Sequence, residues 1–389
     1  MKKDTKILIS GGGIAGCTLA YYLKQYGYKT VIVESSPEFK RVGHMLALSY
    51  QIGQVVAQKM GILEKLKRFE MPLTKNTMYD MYGRLILKFE LDYNEQNKRV
   101  GLILNRADLH LTLYDLVKDA VDFRFGQEIS SVSEQDNGLD ITFSNGQRET
   151  FDLVIGADGV HSNTRRLVFG EGFEKHLSRA AYFAFTVQNK TTRDIAGEHE
   201  VVSVRGNQFS IAYHLLSQNE VAGYVMHVEE PSEQLAPRDR RSYMLNRYGS
   251  FDTNFRHILE TMTDDDFIFH DTFMKVVMPA WYKGRVCLTG DAAYCPTPAA
   301  GSGASLAMAG AYILAKNLSD SDNYQTAFAD YDSYMRPYIK KIQKGATSMA
   351  NYAVGKNFIS YKFTNGLLRL LPVSIVTRLH SHAFKLPLP

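Results

Sequence analysis

Cysteine is scarce: Cys17, Cys287 and Cys295 are the only three in 389 residues. An odd, widely spaced set without C-x-x-C spacing excludes a disulfide framework, a dithiol redox centre and a cysteine-held zinc. A reducing cytoplasm is the compartment expected. No run of about 20 apolar residues occurs, so no membrane span is expected. The formal net charge is only +4, and no lysine/arginine block or arginine-rich tail is present. A nucleic-acid partner is therefore not expected. No H-x-x-x-H pair or acid cluster suggests a metal, no Ser-His-Asp set is evident, and no internal repeat or low-complexity segment appears.

What is present is an ordinary globular composition, 45% hydrophobic and 22% charged, and length enough for two or three domains. Near the start, Lys6-Ile7-Leu8-Ile9-Ser10 is a short apolar strand. Gly11-Gly12-Gly13-Ile14-Ala15-Gly16 follows, then a helix to about Tyr26 and a second strand ending at Glu34. This is the size of one βαβ unit. Gly11 permits the tight turn, Gly13 lets backbone approach a pyrophosphate, and Gly16 lets helix pack on strand. Glu34 is placed to accept from a ribose 2′-hydroxyl and would repel a 2′-phosphate, which fits FAD or NAD and does not separate them. Lys2 and Lys3, with Ile14-Ala15-Gly16-Cys17, have the look of a lipoprotein signal. The three glycines would interrupt its apolar region, so cleavage there is not expected.

Further along, residues 38–50 read as irregular and residues 51–69 as helical. Two strands, 78–82 and 84–89, join at Gly83. Arg106 opens a helix, as a phosphate or adenine contact or as a solvated first-turn charge. Residues 129–151 read as an antiparallel ribbon with turns at Gly138 and Gly146, and residues 152–156 as a buried strand. Residues 180–228 hold four strands rich in aromatic and β-branched residues, a separate antiparallel sheet. The tail from Asp322 reads as mostly helical, with breaks at Gly366 and Pro372.

The stretch from Gly290 to Gly303, Gly-Asp-Ala-Ala-Tyr-Cys-Pro-Thr-Pro-Ala-Ala-Gly-Ser-Gly, sits between a short strand and an Ala-rich buried helix. The free N–H groups and dipole at that helix start favour an anionic or phosphate group in the loop.

Three motifs thus stand in order: Gly11-x-Gly13-x-x-Gly16 with Glu34; Gly156-Ala157-Asp158-Gly159 with Ser162 and Arg165; and Gly290-Asp291. The set resembles the class A flavin-dependent aromatic hydroxylases over nearly the whole chain. The resemblance implies an α/β fold, in which a Rossmann-like FAD-binding domain carries an inserted antiparallel β-sheet substrate domain and a C-terminal helix. The expected boundaries are 1–72, 99–178 and 278–320 for the FAD domain, 73–98 and 179–277 for the substrate sheet, and 321–389 for a helical segment bridging the two.

It also implies the chemistry. NADPH reduces FAD, O2 adds as a C4a-hydroperoxyflavin, and one oxygen atom passes to a small-molecule substrate. No side chain is then needed as catalyst. Asp158 and Arg165 fall where FAD and the nicotinamide meet, Asp291 on the flavin's sugar chain, and Arg106 against FAD. Residues Ile14, Ala15, Ser35, Arg41, His44, Met45, Pro298, Gly301, Gly303 and Ala304 complete the implied cofactor surface. The start of the last helix would stabilise negative charge on the reduced ring.

Within that family, Gly-Asp-Ala-Ala-Tyr-Cys-Pro-x-Pro and the later Gly-Ala-Tyr-Ile-Leu-Ala look like the tetracycline-inactivating branch. Tyr294 stands where many members have His, Ser302 and Ser305 where Gln and Asn are common, and residues 43–48 differ. The substrate expected is a tetracycline or another phenolic polycycle. The alternative is another FAD oxidoreductase, or a flavin-containing binding protein; the lone Trp281 argues against a halogenase. Candidate substrate contacts are Phe183, Phe185, Arg205, Tyr213, His214, His227, Pro298 and Ala299, although residue type alone also reads the side chains of the sheet as core or sheet-edge residues. A cytoplasmic monomer is expected.

Overall fold

A computed structural model describes residues 4–39, 45–71, 73–90, 101–188, 195–217, 220–228, 235–263, 266, 268–354, 357–372 and 386–389. The chain opens with β1 (Lys6–Ser10), α1 (Ile14–Gln25) and β2 (Lys29–Glu34). It continues through β3 (Met45–Ser49), α2 (Gly53–Lys59), α3 (Leu63–Lys67), β4 (Lys75–Asp80), β5 (Leu85–Glu90) and β6 (Gly101–Asn105). Then come α4 (Arg106–Val117), β7 (Asp122–Phe125), the ribbon β8 (Ile129–Gln135), β9 (Gly138–Phe143) and β10 (Arg148–Phe151), β11 (Leu153–Gly156) and α5 (Asn163–Phe169). The second sheet follows with β12 (Glu174–Gln188), β13 (Glu200–Gly206), β14 (Phe209–Ser217), β15 (Glu220–Val228), α6 (Arg240–Tyr248), α7 (Thr253–Thr261) and β16 (Ile268–Val276). The chain returns through β17 (Tyr282–Lys283), β18 (Val286–Leu288) and α8 (Asp291–Tyr294) to α9 (Gly303–Asp320), α10 (Tyr324–Val354) and α11 (Phe358–Leu370).

The first sheet has the order β17-β18-β11-β1-β2-β7 and is parallel except at the β17 edge. β1, β2 and β11 are buried on both faces, as parallel strands between layers must be. α1 and α9 cover one face, joining Leu19, Leu23, Leu306 and Ile313 in the largest core. The ribbon β8–β10 covers the other through Leu139, Ile141 and Phe151.

The second sheet has the order β16-β12-β15-β14-β13-β4-β5. It is not wholly antiparallel as expected: β4 joins β13 in parallel, because β4 reaches the sheet from the first domain rather than through a hairpin. The segment before Tyr50, expected irregular, contains β3, which pairs antiparallel with β6 from Met45↔Asn105 to Ser49↔Gly101. The helix expected over 51–69 is two, divided at Gly61 (φ +72°). Gly366, expected as a break, lies inside α11, where an added Cβ would meet nothing within 4 Å. A single exposed glycine costs a helix only about 1 kcal/mol, which the packing of α11 outweighs.

α10 runs behind the Gly290 loop and braces it. Gln343 donates from its amide to the carbonyls of Val276 (2.7 Å), Cys295 (3.1 Å) and Tyr294 (3.3 Å). Asp332 accepts from the backbone N–H of Trp281 at 3.1 Å and pairs with Arg336, whose guanidinium lies 4.5 Å from the Trp281 ring centre. The Tyr331 hydroxyl donates to Thr289 Oγ1 at 3.0 Å, beside the Tyr294 hydroxyl. Tyr294 in turn requires Gly310, since a Cβ there would stand 1.8 Å from the tyrosine oxygen.

Two outcomes follow from this packing. Gly310→Ala will destabilise the protein by about 1–3 kcal/mol through overpacking, and Tyr294→Phe alone by about 1 kcal/mol through lost hydrogen bonds. In urea unfolding, the double variant will be more stable than the sum of the two predicts, because removing the hydroxyl relieves the clash. The second outcome concerns the contact between the sheets at His161 Nε2 and Asp271 Oδ2, 3.4 Å apart. The Asp271 hydrogen bond raises the pKa of the largely exposed His161. The stabilisation is therefore fully present below the ordinary histidine pKa and is lost as pH rises through the higher folded value. The melting-temperature difference between the protein and His161→Gln will be largest below the ordinary histidine pKa of about 6.5 and will shrink as pH rises above it.

Candidate flavin site between the two sheets

The dinucleotide end is built by glycines. Gly11 turns at φ +106°, and a Cβ there would lie 2.5 Å from the Ala157 oxygen. A Cβ on Gly16 would lie 1.9 Å from the Gly11 oxygen. At Gly13 a Cβ would meet nothing within 4 Å, and no side chain caps the start of α1. The open space thus sits where the unpaired first-turn amides of α1, from Ile14, Ala15 and Gly16, can receive an anion.

Glu34 is locked beside this turn. One carboxylate oxygen accepts from Gly12 N at 2.9 Å, and the other from Ser36 N at 2.9 Å and Ser35 Oγ at 3.4 Å. The Gly12 carbonyl lies 2.8 Å from His110 Nε2. A carbonyl only accepts, so this nitrogen carries the proton. Burial lowers the pKa of His110, which keeps the ring neutral. His110 was not singled out from the sequence; its signal was its place one helical turn after Arg106.

The second motif is engaged with the chain itself. Asp158 accepts from the Ser162 hydroxyl, and from Thr164 N and Oγ1 at 2.8 Å each, so it shapes the turn into α5. Arg165 is 1% exposed. Its guanidinium donates to the carbonyls of Ala292 (2.9 Å) and Val160 (2.7 Å) and pairs with Glu174. These contacts join the loop after β11, the turn of α8 and strand β12. The sequence reading placed both side chains at the cofactor; the structure places them under its loops.

The third motif forms the floor between the sheets. Gly290 (φ +61°) brings α8 against α1, where a Cβ would lie 2.8 Å from that of Ala15. Thr297 is held at φ +85°, and Pro298–Ala300 make one 3-10 turn ending at Gly301 (φ +59°). α9 then starts at Gly303 and Ala304, with no side chain capping it. Ser305 Oγ accepts from Ser49 N at 3.0 Å, tying β3 to this helix start. Around the junction, Thr297 Oγ1, Ser302 Oγ, Ser49 Oγ and Gln51 Oε1 are buried without a hydrogen-bond partner. Such atoms carry a desolvation cost that a ring with polar edges would relieve. The open cradle at Gly13 and these orphaned atoms fit a flavin dinucleotide. Tyr294 is not on that surface; it lies behind the loop, with its ring centre 4.7 Å from that of Trp281.

Arg106, at the start of α4, lies close enough to Asp291, at the start of α8, for its charge to act on that carboxyl. Burial raises the pKa of Asp291 while the positive charge of Arg106 opposes the shift. Tyr182, on β12, faces the same groups; burial and the charges of Asp271 and Asp291 keep its hydroxyl protonated.

The pleat decides which residues of the second sheet look this way. Phe183, Phe185, Tyr213 and His227 were expected at the substrate. They lie on the opposite face, packed with Met244, Tyr248 and Phe255 of α6 and α7. His227 is held down to about pKa 3 by burial there, with a further push from His270 and Arg247. Their neighbours, one residue out of phase, point toward the first domain. Tyr182 and Ala184 pack there with Phe273 and Met226, and Ala212 and Tyr224 with Met45, Met71 and Ile103. Strand alternation puts Arg205 and His214 on this same face. The His214 ring is pushed down to about 4 by burial, and its Nε2 has no partner. Arg41 and His44 lie outside the described residues, as does the side chain of Ala299. Pro298 is exposed on the floor loop.

The family model described as FAD binding domain matches residues 4–342. A flavin-dependent monooxygenase from an unknown prokaryotic organism is 30% identical over 348 residues, covering 88% of this chain and 89% of its own. The crystal structure of the tetracycline destructase Tet(51) superposes with a TM-score of 0.80 at 26% identity, over 99% of both chains. Klebsiella pneumoniae HpxO, complexed with FAD and uric acid, superposes at 0.84 with 19% identity, over 97% of this chain and 96% of its own, and supports the fold. The residues that build the floor and the dinucleotide cradle lie within the matched span, and the chain belongs to the FAD-dependent monooxygenases of class A fold.

Proposed function

We propose that the enzyme consumes NADPH and O2 to hydroxylate a phenolic or polycyclic small molecule, and that tetracyclines are the substrate class, so that the reaction inactivates them. The observation that carries this reading is the face of the second sheet turned toward the first domain: Tyr182, Tyr224 and a neutral His214 whose Nε2 has no partner, set among the small side chains of Ala184, Ala212 and Ala222. Small residues between aromatic ones suit a flat ligand of fused rings. The neutral imidazole and the tyrosine hydroxyls supply hydrogen bonds for ring oxygens. The end-to-end likeness to Tet(51) supports the same reading.

FAD, when bound, would pass reducing equivalents from NADPH to O2 and so activate the oxygen. The chain's own residues supply position and charge. The first-turn amides of α1 take the pyrophosphate, and Glu34 holds the Gly12 turn and meets the ribose. Asp291 accepts from a hydroxyl of the flavin's sugar chain, and Arg106 balances its charge. The uncapped start of α9 faces negative charge at the ring edge. One glutamate and one aspartate, Glu174 with Arg165 and Asp271 with His161, tie the second sheet to the first domain beside the floor.

The purified protein will carry FAD, and tetracycline will accelerate its NADPH oxidation with formation of a product bearing one added oxygen atom. Turnover with simple phenols but not tetracyclines would replace the substrate class. Absence of any NADPH turnover would leave a flavin-containing binding protein. Arg106→Ala and Asp291→Ala will each weaken FAD binding by roughly tenfold to a hundredfold, measured by flavin fluorescence on titrating the apoprotein. His214→Leu will raise KM for tetracycline by about tenfold and leave FAD affinity unchanged.

A further inference from the structure

The outer face of α11 is apolar and uncovered. Ile359 is 79% exposed, Phe363 73%, Leu367 46% and Leu370 83%. At 100° per residue these four fall within about 80° of helix circumference. The opposite face is the packed one: Tyr361, Asn365 and Leu368 are buried, and Leu368 joins Ile86, Leu87 and Phe89 of β5. Packing on the sheet therefore accounts for one apolar stripe of this helix and leaves a second, which no described residue covers. A second exposed apolar pair lies beside α11. Arg369 Nε donates to the Leu85 carbonyl at 3.3 Å, and Leu85 and Tyr82 at that hairpin are 53% and 58% exposed.

Charge is distributed as unevenly as apolarity. All 41 acidic residues lie at or before Asp332. The last 57 residues contain nine lysines and arginines and no acid, while the first 332 hold 36 basic residues against those 41. The small net charge of +4 thus conceals an acidic excess up to Asp332 and a basic excess after it, of which Arg336 and Arg369 are paired with Asp332 and Asp80 while Lys362 lies exposed on α11. Lys362 flanks the stripe, with its ammonium 4.6 Å from the Phe358 ring centre. The α11 helix is anchored in turn: Arg369 pairs with the buried Asp80 at 2.8 Å, and Met81 N donates to the Tyr361 hydroxyl at 3.4 Å. The stripe is presented outward from a fixed base.

We propose that α11 docks the enzyme on the surface of an anionic phospholipid bilayer, with Ile359, Phe363, Leu367 and Leu370 entering the headgroup–acyl boundary and Lys362, on a helix that carries no acidic residue, meeting the lipid phosphates. An exposed apolar stripe combined with an excess of cations matches the two terms, apolar burial and attraction to anionic headgroups, that hold an interfacial helix. No described helix is long and apolar enough to cross a membrane, so the association is peripheral. The proposal does not depend on the substrate assigned above.

The test is co-sedimentation of the full-length protein with vesicles of phosphatidylcholine containing phosphatidylglycerol, and with vesicles of phosphatidylcholine alone. Binding is expected to the anionic vesicles, and to fall as salt is raised. Ile359→Ser/Phe363→Ser will lower the partition by about tenfold or more, and Lys362→Gln by roughly fivefold, with unchanged thermal melting because all three positions are exposed. No binding to anionic vesicles, or equal binding to neutral ones that the double variant does not weaken, overturns the proposal. So does a dimer in size exclusion that the double variant converts to monomer, since the stripe would then be covered by a second copy of the chain.

Discussion

The buried guanidinium of Arg165 is the tie on which the arrangement of the site depends. A cation with 1% exposure must be paired on every side, and its partners here are a carbonyl of its own loop, the carbonyl of Ala292 and the carboxylate of Glu174. Those partners belong to the second motif, the third motif and the second sheet. Removing one side of such a set leaves an uncompensated buried charge, a loss of about 3–5 kcal/mol. The geometry that places Asp291 and the Pro298 turn under the second sheet is therefore held by one side chain that faces away from the site. Gln343, Tyr331 and the Asp332–Arg336 pair hold the same loop from behind.

This division of labour explains the unusual polarity of the floor. The residues behind it are satisfied, with three carbonyls on the Gln343 amide and a hydroxyl cluster at Thr289, Tyr294 and Tyr331. The residues on it are not: Thr297, Ser302, Ser49 and Gln51 keep buried atoms unpaired. A rigid frame around unsatisfied donors and acceptors is preorganisation for a ligand. The positive φ of Thr297, a conformation uncommon for a β-branched residue, is part of the same frame.

The second sheet works on both faces. Helices α6 and α7 cover one with a conventional core, and the floor loop with β3 and β6 faces the other. Aromatic side chains occur on both, so aromaticity does not mark the working side. What distinguishes the inner face is the mixture of alanines, a His214 whose Nε2 has no partner and buried Arg205 among the tyrosines. Outside both sheets, α11 completes the edge at β5 with one side and leaves the other outward.

Local rules carried much of this in the sequence. The spacing of Gly11, Gly13, Gly16 and Glu34 determines a strand, a tight turn, a helix start and a locked acid, because each is set within one βαβ unit. The Ala-rich run after Gly303 is a buried helix for the same local reason. The tertiary structure decided the rest. Which face of β12, β14 and β15 meets the cofactor domain depends on a one-residue phase, and strands buried on both faces carry no polarity signal to set it. Whether Asp158 and Arg165 touch a ligand or the chain depends on the partners brought to them from Ala292 and Glu174, over a hundred residues away in the first case. Tyr294 read in the sequence as a departure from a family pattern and Gly310 as the start of a branch motif, and only their approach in space makes them one fit. The pairing of β3 with β6, and the outward stripe of α11, likewise follow from what packs against them, which a local pattern of apolar residues does not contain.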